Sequence, residues 1–170
     1  RECRIGKRIL KPFFSIVTCT YNAGESLRDC IRLVECQSFG DYEHIIIDAF
    51  STGPTCGILE DYCTRGGPRV RLFQSPPEGV TKAMNEGIGY ARGEVILHLH
   101  GDDRLAGDGV LETVHDLFRK HRPAVLVGDC RLTGHPTLSH TWPKNPIKRF
   151  ITRSCMRIIM FYSNPIPHPS

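Results

Sequence analysis

The alternation of short apolar runs with segments of helical spacing constrains this chain more than any other feature. Phe13-Phe-Ser-Ile-Val-Thr-Cys reads as a strand, and Leu27, Cys30, Ile31 and Val34 then fall on one helical face. Tyr42-Glu-His-Ile-Ile-Ile-Asp is a second strand, closed by the turn residues Ser51-Thr-Gly-Pro. A helix around residues 56–63 is broken by Gly66-Gly67, and Val70-Arg-Leu-Phe forms a third strand. Val80, Ala83, Met84, Gly87, Ile88 and Ala91 keep helical spacing up to a stop at Gly93, and Glu94-Val-Ile-Leu-His-Leu-His follows as a strand. Val110, Leu111, Val114, Leu117 and Phe118 mark another helix before the strand Ala124-Val-Leu-Val-Gly-Asp. The strands are continuously apolar rather than alternating, so they are expected to be covered on both faces. Connections of helix length between them predict right-handed βαβ units, an α/β fold and a mostly parallel sheet. Past Cys130 the pattern loosens, and residues 148–161 read as an amphipathic helix.

A chain of 170 residues is one domain's worth and long enough for a core. No window approaches the roughly 18 consecutive apolar residues of a membrane span. The first residues, Arg-Glu-Cys-Arg, carry neither an initiator Met nor a signal-peptide pattern, which leads us to expect a piece of a longer or processed chain. Eight cysteines occur without a C-x-x-C pair, so the usual zinc spacing is lacking. Cys19, Cys30 and Cys36 sit among apolar neighbours and are expected as buried, reduced thiols of a cytoplasmic protein. Charge is uneven: 16 Lys and Arg stand against 18 Asp and Glu through Asp129, and six cations with no carboxylate side chain follow. Such a tail either meets phosphates or an anionic surface, or is a solvated face.

In a parallel sheet all carboxyl ends share one edge, and ligands bind there in open α/β folds. The first strand runs out at Thr18-Cys-Thr-Tyr-Asn22, the second at Asp48 and the fourth at His100-Gly-Asp-Asp103. Two neighbouring carboxylates repel unless a cation or hydrogen bonds hold them, and oxygen-only donors suit Mg or Mn with ligands from a substrate's phosphates. The plain alternative is a polar turn in which Asp102 or Asp103 caps the next helix. An aromatic ring for stacking, a lone carboxylate for hydroxyl or base recognition and a metal-binding pair together describe a site for a nucleotide diphosphate. The G-x-G-x-x-G fingerprint of dinucleotide folds is missing after the first strand, and no P-loop occurs. His98 and His100 share a strand face and raise an H-x-H metal site of a hydrolase, although packed or hydrogen-bonded histidines explain them as simply.

Five ordered blocks over about 90 residues resemble family 2 glycosyltransferases. They are Ser15-Ile-Val-Thr-Cys-Thr-Tyr-Asn22, Ile45-Ile-Ile-Asp-Ala-Phe-Ser-Thr52, Glu78-Gly-Val-Thr-Lys-Ala-Met-Asn-Glu-Gly-Ile88, Gly93-Glu-Val and Gly101-Asp-Asp. The resemblance implies a GT-A fold, incomplete on its acceptor side. It also implies transfer of a sugar from a nucleotide-diphosphate donor to a carbohydrate or lipid-linked acceptor, inverting and dependent on Mg or Mn, in polysaccharide or glycolipid synthesis. No nucleic-acid partner is expected; contact at the cytoplasmic face of a membrane is compatible with the basic tail. The implied organisation is a basic extension over 1–12, a nucleotide-sugar-binding βαβ half over 13–129, and the start of an acceptor-side region over 130–170.

Carried over position by position, the resemblance places Cys19, Thr20 and Tyr21 along the nucleoside and Asp48 in the nucleoside pocket. Asp102 would serve ribose or metal, and Asp103 metal and diphosphate. This chain departs from the pattern in four places. Cys19 stands where Pro or Thr is common, and Ala49 where a second acid often reads the base. Lys82 replaces a frequent Asp and either approaches a phosphate or is solvated. Gly101 leaves the metal motif with two carboxylates.

Inverting transfer needs a base for the acceptor hydroxyl, and the family draws it from an acidic motif well beyond the metal pair. No Asp or Glu follows Asp129, which itself ends a strand, and Glu78 is at most a stand-in. The base is therefore expected beyond residue 170, and these residues alone are expected to bind a nucleotide with metal but transfer sugar poorly. Trp142 either stacks on a sugar or packs a loop, and His168 either faces an acceptor or has no role. The competing reading is a catalytically inactive nucleotide-sugar-binding module. A sugar-1-phosphate nucleotidyltransferase would share the sheet but wants a Gly-rich basic loop after the first strand, and none is present.

Overall fold

The computed structural model describes residues 11–128 and one further strand at 157–161. In chain order the elements are β1 (Phe14–Thr20), α1 (Glu25–Glu35), β2 (Tyr42–Asp48), α2 (Pro54–Gly66), β3 (Val70–Gln74), α3 (Val80–Tyr90), β4 (Val95–His98), α4 (Val110–His121), β5 (Val125–Gly128) and β6 (Arg157–Phe161). They build one six-stranded sheet in the order β3-β2-β1-β4-β6-β5, every described pairing parallel. The chain steps outward from β1 to β2 to β3, then returns across the sheet to lay β4 on the other side of β1. The order therefore reverses between β1 and β4.

The continuous apolar runs are explained by two-sided burial. Every residue of β2 is buried. Ile45 and Ile47 pack with Val17 and Ile96 against Ala83 and Ile88 of α3. Ile46 faces the opposite way, into Leu27, Ile31, Ile58 and Tyr62 of α1 and α2. Phe14, Ile16, Leu97 and Leu99 meet Cys30 and Val34 of α1 and Leu111, Val114 and Phe118 of α4. Burying each large aliphatic side chain contributes roughly 1.5–3 kcal/mol, so this layering dominates the favourable side of folding. The stripe on α1 is Leu27, Cys30, Ile31 and Val34, as its spacing requires. On α4, Leu117 lies at the margin of the stripe and is exposed, while Leu111, Val114 and Phe118 carry the packing.

Two glycines are set by close approach. A Cβ on Gly87 would lie 2.3 Å from Val17 Cγ1, so α3 reaches the sheet only with glycine there. A Cβ on Gly93 would lie 2.6 Å from the Ser15 amide nitrogen. Gly93 donates its N–H to Ser15 Oγ at 2.8 Å, and Ser15 in turn donates to Glu43 at 2.7 Å. Glu43 also accepts the Arg92 N–H at 2.7 Å and pairs with Arg71 at 3.1 Å. This partly buried charge cluster ties β1, β2, β3 and the α3–β4 connection together at the amino edge of the sheet.

Three expectations are corrected. Residues 157–161 are strand, not helix: Arg157–Phe161 pairs with both β4 and β5. The helical spacing misled because a short run of consecutive apolar residues carries no alternation to distinguish strand from helix. Cys36 is exposed at the end of α1, whereas Cys30 is buried as expected. Neither Asp102 nor Asp103 caps a helix, since α4 begins at Val110 and its N-cap position is Gly109. Asp129, Trp142, His168 and most of the basic tail lie outside the described residues.

One polar chain runs through the core. His44 is completely buried, with Thr18 Oγ1 2.8 Å from Nε2 and Tyr62 Oη 2.8 Å from Nδ1. Burial pushes its pKa down to about 3 from an ordinary 6.5, so it folds neutral, one nitrogen donating and the other accepting. His98 is likewise pushed down to about 4, by burial and then by His100. Both groups take up protons more readily in the unfolded chain. Stability is thus fully present above pH 6.5 and is lost as pH falls toward the folded values. Urea unfolding at pH 7 and pH 5 should show a loss of up to about 1.4 kcal/mol per pH unit for each histidine. The slope should be shallower for His44→Gln, and an identical slope would refute the assignment.

Candidate functional site

The carboxyl edge of the sheet at the reversal gathers the loops that follow β1, β2, β3 and β4. Consecutive carbonyls at the end of β1 fix two of them. Thr20 O accepts the Ala49 N–H at 3.0 Å, and Cys19 O accepts the Gly101 N–H at 3.1 Å. Cys19 therefore contributes through its backbone, and burial pushes its half-buried thiol up to about 12, away from thiolate chemistry. Thr20 is buried beneath the β4 loop: a Cβ on Gly101 would lie 3.0 Å from its Oγ1. A side chain at 101 would press on Thr20, which would have to give by a few tenths of an ångström, so glycine fits this close approach with least adjustment.

Asp48 ends β2 and is buried. Its carboxylate accepts both the Ser51 N–H, at 3.0 Å, and the Ser51 hydroxyl. Ser51 Oγ also accepts the Asn22 N–H at 2.9 Å, while Asn22 Oδ1 accepts the Thr52 N–H at 2.8 Å. The loops after β1 and β2 are thereby laced into one unit, and Ser75 after β3 joins it by donating its N–H to Asp48 O at 3.0 Å. Tyr21 stands out from this unit, 62% exposed.

After β4 the chain makes a tight turn. The Asp103 N–H donates to His100 O at 3.0 Å, and Asp103 Oδ2 accepts the His100 N–H at 3.1 Å. Asp103 is half-buried and Asp102 exposed. Below the turn, Cys30 of α1 directs its thiol to His100 O at 3.5 Å. Its pKa is pushed up to about 12, by burial first and by Asp103 next. Arg104, beside the acidic pair, is held by Asp29. The following segment is anchored by Gln37, which donates to Gly107 O at 2.6 Å and accepts the Leu111 N–H at 3.0 Å.

Lys82 and Glu78 pair with each other at 2.6 Å across the first turn of α3, both exposed. That hydrogen bond raises the Lys82 pKa. An H-x-H metal centre is not assembled: among the described residues no three His, Cys, Asp or Glu side chains gather as a metal site. The same observation bears on Mg or Mn at Asp102 and Asp103. Two oxygen donors are too few for a closed site, but they fit a hard ion that completes its shell from phosphates and water. One further observation favours a ligand here. Among the described residues three buried side-chain polar atoms lack a partner, Thr20 Oγ1, Ser75 Oγ and His98 Nδ1, and all three lie at strand ends on this edge. Buried polar groups are otherwise almost always paired.

This combination defines a protein of the GT-A class, an α/β sheet presenting strand-end loops and an acidic turn at one edge. Residues 15–167 match the model of glycosyl transferase family 2, and the chain belongs to that family. It is 33% identical over 116 residues to a PGL/p-HBAD biosynthesis glycosyltransferase of Mycobacterium bovis, covering 68% of this chain and 45% of that protein. The chain thus spans less than half the length of this relative. Among solved structures it resembles S. aureus TarS 1-349 in complex with UDP, with a TM-score of 0.64, 24% identity, and coverage of 72% of this chain and 37% of that one. It also resembles the mannosyltransferase PcManGT from Pyrobaculum calidifontis in complex with GDP-Man and Mn2+, with a TM-score of 0.62, 16% identity and coverage of 72% and 37%. No helix among the described residues is long and apolar enough to cross a membrane.

Tyr21, Asp48, Asp102 and Asp103 were singled out by strand-end position, and the fold brings those ends to one edge. Ser51, Ser75 and Gln37 were not singled out as site residues. Ser51 announced itself as a turn former, while nothing local marks Gln37, whose partners are 70 and 74 positions away. Ser51→Ala removes the hydroxyl that donates to Asp48 and accepts the Asn22 N–H, while the backbone bond to Asp48 stays. Its unfolding free energy should fall by about 1–3 kcal/mol; an unchanged denaturation midpoint would mean the two loops are held by other contacts.

Proposed function

We propose that this chain is the donor-binding half of an inverting, divalent-metal-dependent glycosyltransferase that takes a sugar from a nucleotide diphosphate. The observation that carries the reading is the set of strand ends at the sheet reversal, where Tyr21, Asp48 and the Asp102–Asp103 turn share one edge with unpaired buried hydroxyls. In this reading Cys19, Thr20 and Tyr21 run along the nucleoside and Asp48 borders it. Asp102 serves ribose or metal, and Asp103 metal and diphosphate. A Mg or Mn ion held there would offset charge growing on the leaving diphosphate. Lys82 would exchange Glu78 for a donor phosphate. The donor half spans residues 13–129, after a basic extension over 1–12, and the acceptor side begins in 130–170. The general base is placed outside residues 1–170 in this reading, since no carboxylate side chain follows Asp129 and Glu78 is at most a stand-in. The acceptor is a carbohydrate or a lipid-linked carbohydrate, in polysaccharide or glycolipid synthesis. Work at the cytoplasmic face of a membrane suits the basic tail.

A second reading is an inactive nucleotide-sugar-binding module; in its favour, Glu78, the one stand-in for a base, is engaged by Lys82. Titration calorimetry with UDP and GDP, with and without Mn, tests both. Binding should require Mn and weaken at least tenfold in Asp103→Ala and in the exposed Asp102→Asn, with thermal unfolding confirming that each variant folds. The isolated chain should show no robust turnover, and turnover at family-like rates would refute the placement of the base. A longer chain that restores a downstream acid but still fails to transfer sugar would favour the inactive module.

A further inference from the structure

The loop 48–52 contains an aromatic side chain that the site as described so far leaves without a task. Phe50 has φ of 56° and is 51% exposed. A bulky residue in the left-handed region is a true outlier, disfavoured relative to glycine by contact of Cβ with the backbone. Folding does not recover that penalty by burying the ring, because half of it faces solvent. The conformation is nonetheless imposed from both flanks. Ala49 donates to Thr20 O, Ser51 is bound twice by Asp48, and Thr52 donates to Asn22 Oδ1. The chain spends strain and a rigid hydrogen-bonded frame on presenting one apolar ring to water, beside the buried Asp48 and on the loop laced to that of the exposed Tyr21. Strained residues held by an over-determined frame concentrate where ligands are gripped.

We infer that Phe50 is a base-recognising residue: its ring forms a stacking face for the nucleobase of the donor, on the β2-loop side of the nucleoside pocket. Planar bases offer a π-face to any aromatic platform, so this contact grips the nucleoside while leaving the choice of base to the groups at its edge. The inference rests on the donor-site reading above and adds to it a residue that touches the base, not the phosphates.

Glycine at position 50 separates the two consequences of the aromatic ring. In Phe50→Gly the left-handed backbone becomes unstrained, so the thermal midpoint should rise by a few degrees. Affinity for whichever of UDP or GDP binds the parent chain in Mn should fall about tenfold, while Mn-dependent binding of inorganic pyrophosphate stays unchanged. Phe50→Tyr, which keeps the ring, should retain nucleotide affinity. If the parent chain binds a nucleotide and Phe50→Gly binds it equally well, or loses nucleotide and pyrophosphate alike, the assignment of Phe50 is overturned while the donor site stands. If the parent chain binds neither UDP nor GDP in Mn, the donor-site reading falls and takes this inference with it.

Discussion

The end of β1 is the constraint on which the rest of this molecule depends. Its last two carbonyls turn to opposite neighbours and each captures a loop amide, Ala49 directly after β2 and Gly101 three residues after β4. Because β1 pairs with both strands in parallel register, these bonds extend the two ladders past the sheet and fix where both loops depart. The carboxylate of Asp48 and the acidic turn at Asp102–Asp103 are placed relative to each other by one strand's backbone. Side-chain identity at Cys19 matters little to that task, which is how a thiol can occupy the position.

The architecture was legible because burial on both faces writes itself into composition. The run Ile45-Ile46-Ile47, closed by the turn residues Ser51-Thr-Gly-Pro and set between helical stripes, reads as the centre of a covered sheet, and Leu27, Cys30, Ile31 and Val34 read as one side of a surface helix. Element order then gave the shared edge, since parallel strands must end together. Strand β6 was not legible, because a continuously apolar segment has no period by which to separate strand from helix. Its place between β4 and β5 depends on non-local pairing. Of the site, the residues that stand at strand termini were visible. The ones that hold them were not: Ser51, Ser75 and Gln37 act through partners distant in sequence, or through the orientation of a single hydroxyl. In sequence Gly101 reads only as a departure that leaves two carboxylates; its close approach to Thr20 becomes visible in three dimensions.

The two edges of the sheet are built on different physical terms. At the amino edge, Ser15, Glu43, Arg71 and the amides of Arg92 and Gly93 satisfy one another, and the charge pair is partly shielded from water. Removing any one member would strand the rest, so this edge is specified by completeness. At the carboxyl edge, among the described residues, Thr20, Ser75 and His98 keep buried polar atoms without partners, and Asp102 of the acidic turn is exposed. The first arrangement stabilises the fold, and the second gives some of that stability away at the place where a ligand would restore it.

That division also explains why the acidic pair is exposed at its leading member and not at both. Asp103 needs its bond from the His100 amide to set the turn, and its charge is felt by Cys30 beneath. Full burial of two adjacent carboxylates would raise their pKa values and protonate one, removing the charge a cation needs. Full exposure of both would leave the turn unset and the pair free to splay. A backbone amide fixes one carboxylate, and its neighbour stands in solvent. The turn set by that amide holds the two acids side by side, the arrangement that the proposed donor site would use for a hard ion.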